Sequence, residues 1–159
     1  HGAINYVLQK TLEGMNKGKS IDALASEIKL PEEYASLPYL KEHYGSIDWT
    51  VRSIYTAYLG WFDGNPTKLH PLSPKKHAHK TIKMMGGSEN ILKEINEAFE
   101  KKEYQWCLEL CDLLIDGEKE IKEAYAQKSK ALIEISKLET SANGRHYYIA
   151  YAHEIKNIY

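Results

Sequence analysis

Cysteine is scarce in this chain: Cys107 and Cys111 are the two it has among 159 residues. They stand four apart in a helical pattern, a spacing that rarely suits a disulfide, and a metal there needs two further ligands. Two small side chains on a packed face is the expected role. An excess of charge of one sign is also missing. Twenty-one Lys and Arg against 22 Asp and Glu leave a formal net charge of −1, which offers nothing to nucleic acid or an anionic membrane. No apolar run approaches the length of a bilayer span, and no signal peptide opens the chain. The first residue is His1, not Met, so an excised or processed piece of a longer protein is expected, and the terminus carries no address.

Catalytic fingerprints are absent too. There is no G-x-S-x-G elbow, Walker loop or dinucleotide motif. Carboxylates are plentiful, but they sit in mixtures such as EKEIKEAY, the pattern of a solvated helix face. His77 and His79 are two apart and diverge on a helix, and no carboxylate lies in KLHPLSPKKHAHK. That segment reads as a solvated basic connector, with Ser73-Pro74 as a helix start. His146 and His153 are seven apart, about two helical turns, too far to share an ion without other ligands. No metal site is expected from these residues, and an independent enzyme finds no acid, base and nucleophile that converge.

What the chain does have is helical periodicity. Hydrophobic residues make up 43% and charged residues 27%, an ordinary globular balance that suits one domain or two small helical subdomains. Ile4, Val7, Leu8, Leu12 and Met15 form a stripe over residues 3–16. Ser20 fits an N-cap for a helix bearing Ile21, Leu24, Ala25 and Ile28. Ser46 or Asp48 caps a helix expected from Trp49 to Phe62, closed by the turn Asp63, Gly64, Asn65 and Pro66. After Gly86-Gly87-Ser88, four helices are expected: one from Glu89, then Tyr104–Ile115, Glu118–Leu138 and Ser141–Ile158. The fold class is all-α, an antiparallel helical bundle, with residues 1–72 and 73–159 as its two parts.

In AFEKKEYQWCLELCDLLIDGEKEIKEAYAQKSKAL, small residues recur where two antiparallel helices need close approach. The segment resembles a tetratricopeptide unit about one repeat long. A binding array needs several repeats. A free-standing tetratricopeptide-like adaptor is therefore the alternative reading of the chain.

Two segments remain: EHYGSIDWTVRSIYTAYLGWFDGNP and NGRHYYIAYAHEIK. The chain has twelve Tyr residues, side chains suited to half-apolar surfaces that need a hydrogen bond at the tip. In the first segment a turn at His43, Tyr44 and Gly45 leads into the helix that carries Arg52, Tyr55 and Tyr58. Taken one at a time, each phenol is more simply explained by packing. YLGWFDGNP, however, places Tyr58, Trp61 and Phe62 at a helix stop, within reach of water.

These residues resemble the dimerisation domain of alkyl sulfatases of the metallo-β-lactamase superfamily, the detergent-hydrolysing kind. The resemblance rests on Tyr44-Gly45, on Tyr58 through Pro66 and on Leu69-His70-Pro71. It extends to LQKTLEGMNKGKSIDALASEIKLPE and SANGRHYYIAYAHEI, so it covers nearly the whole chain. It implies a homodimer, a preceding domain that supplies every zinc ligand, and a following sterol-carrier-like domain that holds the alkyl chain. No cofactor is implied within this chain itself. Tyr58 and Tyr44 correspond to residues of the family's sulfate pocket. The position commonly Tyr in the family is His43 here, so the roles of 43 and 44 are open to exchange. A phenol or imidazole there donates to a sulfate ester or assists the leaving group. Trp61, Phe62 and Tyr55 are the expected interface residues. Gly45, Asp63, Gly64, Asn65 and Pro66 are expected to shape the turns.

Overall fold

The computed structural model describes residues 1–158, with side chains through Lys156. Every regular element among the described residues is helical: α1 (Gly2–Asn16), α2 (Ile21–Glu27), α3 (Glu32–Ala35), α4 (Ile47–Leu59), α5 (Pro74–Met84), α6 (Ser88–Glu100), α7 (Tyr104–Asp116), α8 (Ile121–Ser136) and α9 (Ala142–Ile158). Short 3-10 turns occupy Pro38–Leu40 and Pro66–Lys68. The all-α fold expected from the periodicity is what forms among the described residues. Two compact units divide the chain: residues 1–71 with 140–142, and residues 72–139 with 143–159.

In the first unit, α1 and α2 both pack on α4. Val7, Leu24, Ala25, Ile28, Val51 and Tyr55 form its buried core. Of the α1 stripe expected from sequence, Val7 is in the core and Met15 packs against it, while Ile4 is exposed; the buried face of α1 is Ala3, Val7, Thr11 and Gly14. Small residues at these positions let neighbouring helices approach closely. Thr11 is buried at no polar cost, because its hydroxyl donates to the Val7 carbonyl at 2.7 Å. Ser20 caps α2, its oxygen accepting from Ala23 N at 3.3 Å.

In the second unit α7 lies against α5, α6 and α8. Turns of a few residues fold α6, α7 and α8 back on one another, as short connections between packed helices require. Ile91, Ile95, Leu110 and Leu114 are fully buried there. Cys107 and Cys111 are buried free thiols in the same core. The hydrogen bond its S–H donates to Cys107, with burial, pushes the Cys111 thiol far above its ordinary pKa. Ser73 caps α5 through Lys76 N, so the connector read as solvated becomes helix at Pro74. His79 there has a structural bond: its Nε2 donates to the Gly117 carbonyl at 2.9 Å. Among the described residues no helix is long and apolar enough to cross a membrane.

Candidate functional site

The start of α4 is held by two caps. Ser46 accepts from Trp49 N at 3.4 Å, and Glu42 Oε1 accepts from Ile47 N at 2.6 Å. Ser46 also bonds the Asp48 carboxylate. Of the two cap candidates read from sequence, Ser46 is the N-cap, while Asp48 stands in the first turn and accepts from the Ser46 hydroxyl. The turn before it is anchored through His43, whose main-chain N–H donates to Lys41 O at 2.8 Å. The His43 carbonyl accepts from Ala142 N at 2.7 Å, and its ring Nε2 donates to the Pro38 carbonyl at 3.3 Å. Tyr44 follows with 73% of its surface exposed. Gly45 is not in the left-handed region, so the expected need for glycine there does not come from backbone conformation.

Along α4, Arg52 pairs with Asp22 at 2.6 Å on the surface. Tyr55 is 3% exposed and belongs to the core of its own unit. It is therefore a packing residue here rather than one presented to a partner. One turn later Tyr58 is 61% exposed. A shallow hollow of about 490 Å³ on this helix is lined by Arg52, Ser53, Thr56 and Ala57, and takes in neither tyrosine.

The helix stops earlier than its apolar run. Gly60, at φ 73° and ψ −153°, ends α4 after Leu59. That backbone region is essentially reserved for glycine, so the stop is Gly60 rather than the expected Asp63–Pro66 turn. Trp61 and Phe62 lie beyond the helix, their rings 5.5 Å apart and tilted. Trp61 is 75% exposed.

The turn that follows is built from side chains as much as from backbone. Asp63 is 6% exposed at its side chain and pairs with Lys68, and it also accepts from Asn65 N at 3.2 Å. The Lys68 hydrogen bond, then the Asn65 N–H, hold its carboxyl below the ordinary aspartate range. Gly64 takes the left-handed φ of 87°. Asn65 does not, at φ −85°; its side chain instead caps the 3-10 turn, accepting from Thr67 N at 3.1 Å. Pro66 sits at the first position of that turn. The result is a hydrogen-bonded loop that presents Trp61.

Among the described residues no three His, Cys, Asp or Glu side chains are grouped to hold a metal ion. One half-buried ion pair escaped the sequence reading. Lys128 of α8, 9% exposed, bonds Asp112 and lies over the Tyr151 ring at 5.0 Å from its centre. A lysine set among Ala124, Ala131 and Leu132 on an apolar stripe was the available signal.

The chain matches the alkyl sulfatase dimerisation family over residues 20–158. It belongs to that family. It is 36% identical to a linear primary-alkylsulfatase of Pseudomonas sp., over 97% of this chain and 29% of that protein. With an (R)-specific secondary-alkylsulfatase of Pseudomonas sp. it shares 31% identity, over 96% of this chain and 23% of the relative. Its fold superposes on the solved structure of a stereoselective inverting sec-alkylsulfatase from Pseudomonas sp. with a TM-score of 0.87 and 31% identity. That superposition covers 95% of this chain and 24% of the other. The chain thus spans less than a third of the length of these alkyl sulfatases. The match takes in YLGWFDGNP, which has no place in a tetratricopeptide adaptor, and that alternative is not favoured.

Proposed function

We propose that this chain is the dimerising and active-site-covering part of a zinc-dependent alkyl sulfatase. It pairs with a second copy of itself and with neighbouring domains of a parent chain, and it does not hydrolyse sulfate esters alone. The observation that carries this reading is the exposure of Tyr58 and Trp61 at a helix end that Gly60 closes and a hydrogen-bonded loop follows. An apolar surface fixed in one geometry and left to water is the mark of a docking face.

The division of labour follows from what anchors the turn and what it exposes: Tyr44 is 73% exposed. His43 is tied through its ring to Pro38 and through its main chain to Lys41 and Ala142. Anchored so, it positions the turn, and Tyr44 beside it takes the site role. Tyr44 and Tyr58 donate their phenolic protons to sulfate oxygens, which stabilises charge on the departing group. Trp61 and Phe62 dock onto covering protein. A zinc centre in a preceding domain would supply the activated water; this chain orients the ester and excludes bulk water.

The test is a chimera in which this chain replaces the matching segment of the linear primary-alkylsulfatase. Sulfate release from dodecyl sulfate is expected, with a dimer by light scattering. Tyr58→Phe is expected to lower kcat while zinc content stays unchanged. Full turnover in Tyr58→Phe removes that residue from the site, and a strictly monomeric active chimera removes the dimer.

A further inference from the structure

The second unit carries a groove that the sulfatase reading does not use. It has a volume of about 550 Å³ and runs between α8 and α9. Phe99, Tyr125, Ala126, Ile133, Ala152 and Ile155 provide its apolar lining. Phe99 is held edge-on by Tyr104 at 5.5 Å. Ser129, the hydroxyl in the floor, is already spent: it donates to the Ala152 carbonyl at 3.0 Å. Along α8 the lining extends from Lys122 to Glu134, roughly 18 Å at the helical rise per residue. An extended dodecyl chain together with its sulfate is comparable to that length, and a decyl sulfate fits within it.

The rim carries charge of one sign. Lys122, Lys130 and Lys156 border the groove, all three are exposed, and none takes part in an ion pair among the described residues. The acidic lining residue, Glu134, is bonded to Lys137 at 2.6 Å, which offsets its charge. His153 completes the rim. An apolar trough with unpaired ammonium groups along its edge is complementary to an amphiphile with one linear tail and an anionic head. It repels a cationic head and gives a neutral one no added attraction.

We infer that this groove binds an alkyl sulfate, the tail along α8 and the sulfate among the lysines, as a second amphiphile site built from residues other than Tyr44 and Tyr58. The apolar trough and cationic rim stand on their own; the choice of sulfate as head group rests on the alkyl sulfatase reading. Such a site keeps detergent-like substrate at the protein surface.

The test is calorimetric titration of the chain with decyl sulfate below its micelle concentration, with far-UV circular dichroism to verify retained helix. Each methylene that enters the groove tightens binding about fourfold, so decyl sulfate is expected to bind roughly sixteenfold tighter than octyl sulfate. Decyltrimethylammonium is expected to bind at least about tenfold more weakly than decyl sulfate. Ala126→Trp, which fills the trough from an exposed position, and the double variant Lys122→Glu with Lys130→Glu are each expected to cost about tenfold or more.

Equal affinity for the two head groups, or a decyl sulfate isotherm untouched by Ala126→Trp, overturns the proposal. Preference for decanoate over decyl sulfate overturns the sulfate assignment. Loss of dimer mass in Ala126→Trp without any decyl sulfate binding makes the groove a contact between copies instead. Binding needs no turnover, so a chimera that is inactive while decyl sulfate still binds overturns the enzymatic reading and leaves the groove.

Discussion

The main-chain nitrogen of Ala142 donates to the carbonyl of His43 across 2.7 Å. This one bond joins the two segments that stood out in the sequence, the His43-Tyr44-Gly45 turn and the opening of α9. It fixes the peptide from which Tyr44 projects. Ala142 is the first residue of α9, a position where proline is well accommodated. Ala142→Pro therefore deletes the donor without breaking the helix. It is expected to cost about 0.5–1.5 kcal/mol in urea unfolding and to speed amide exchange over residues 41–46. Ala142→Gly, which keeps the N–H, should leave that exchange unchanged.

Glycines in the candidate site separate into two kinds. Gly60 and Gly64 have φ of 73° and 87° with open space where a Cβ would stand. Alanine at either is strained by backbone conformation alone, at about 1–3 kcal/mol. Gly45 has an ordinary φ, and a Cβ there would meet only the edge of the Trp49 ring at 4.0 Å. Gly45→Ala is expected to unfold within about 0.5 kcal/mol of the parent chain. A turnover loss for Gly45→Ala in the chimera, against unchanged stability, assigns that glycine to ligand clearance rather than folding.

The sequence disclosed the helices well because stripes and caps are local. Ser20, Ser46 and Ser73 each cap the helix they were read to cap. Errors arose where local signals competed. Trp61 and Phe62 extend the apolar run of α4, so periodicity carries the helix through them, while the chain has already turned at Gly60. Asn65 next to Gly64 looks like a second left-handed residue, yet its side chain does the capping instead. The exposure of Tyr58 and the burial of Tyr55, three residues earlier, depend on α1 and α2 covering one side of α4. That is a tertiary fact no spacing reveals. The Lys128–Asp112 pair joins α8 to α7, and only the lysine's place in an apolar stripe hinted at it.

The loop that presents Trp61 is predicted to be sensitive to acid. Asp63 has a lowered folded pKa, through Lys68 first and Asn65 second. Its stabilising effect is present above the unfolded aspartate value of about 3.9 and is lost as pH falls through the folded one. Lys68 is raised in turn by Asp63, so on the alkaline side the pair persists to above about pH 10.4. Trp61 emission, in a variant with Trp49 and Trp106 replaced by Phe, should stay constant through neutral pH and change below about pH 4. Asp63→Asn should abolish that acid step, and an identical step in Asp63→Asn refutes the assignment.

Lys128 sets the opposite limit for the second unit. Burial lowers its pKa, but the hydrogen bond and charge of Asp112, with Tyr151 and Tyr125, more than offset this and leave it raised. Its contribution is complete below the unfolded lysine value of about 10.4 and is lost as pH rises through the folded one. Because Asp112 is 54% exposed at its side chain, the pair lies between the surface and interior limits. Asp112→Ala strands the ammonium over the Tyr151 ring and is expected to cost about 1–3 kcal/mol in urea unfolding. Lys128→Met keeps the apolar stem and removes the charge, so it should cost less than Asp112→Ala and should flatten the alkaline limb of stability. A larger loss in Lys128→Met than in Asp112→Ala means that the lysine adds more through its bonds than its burial takes away.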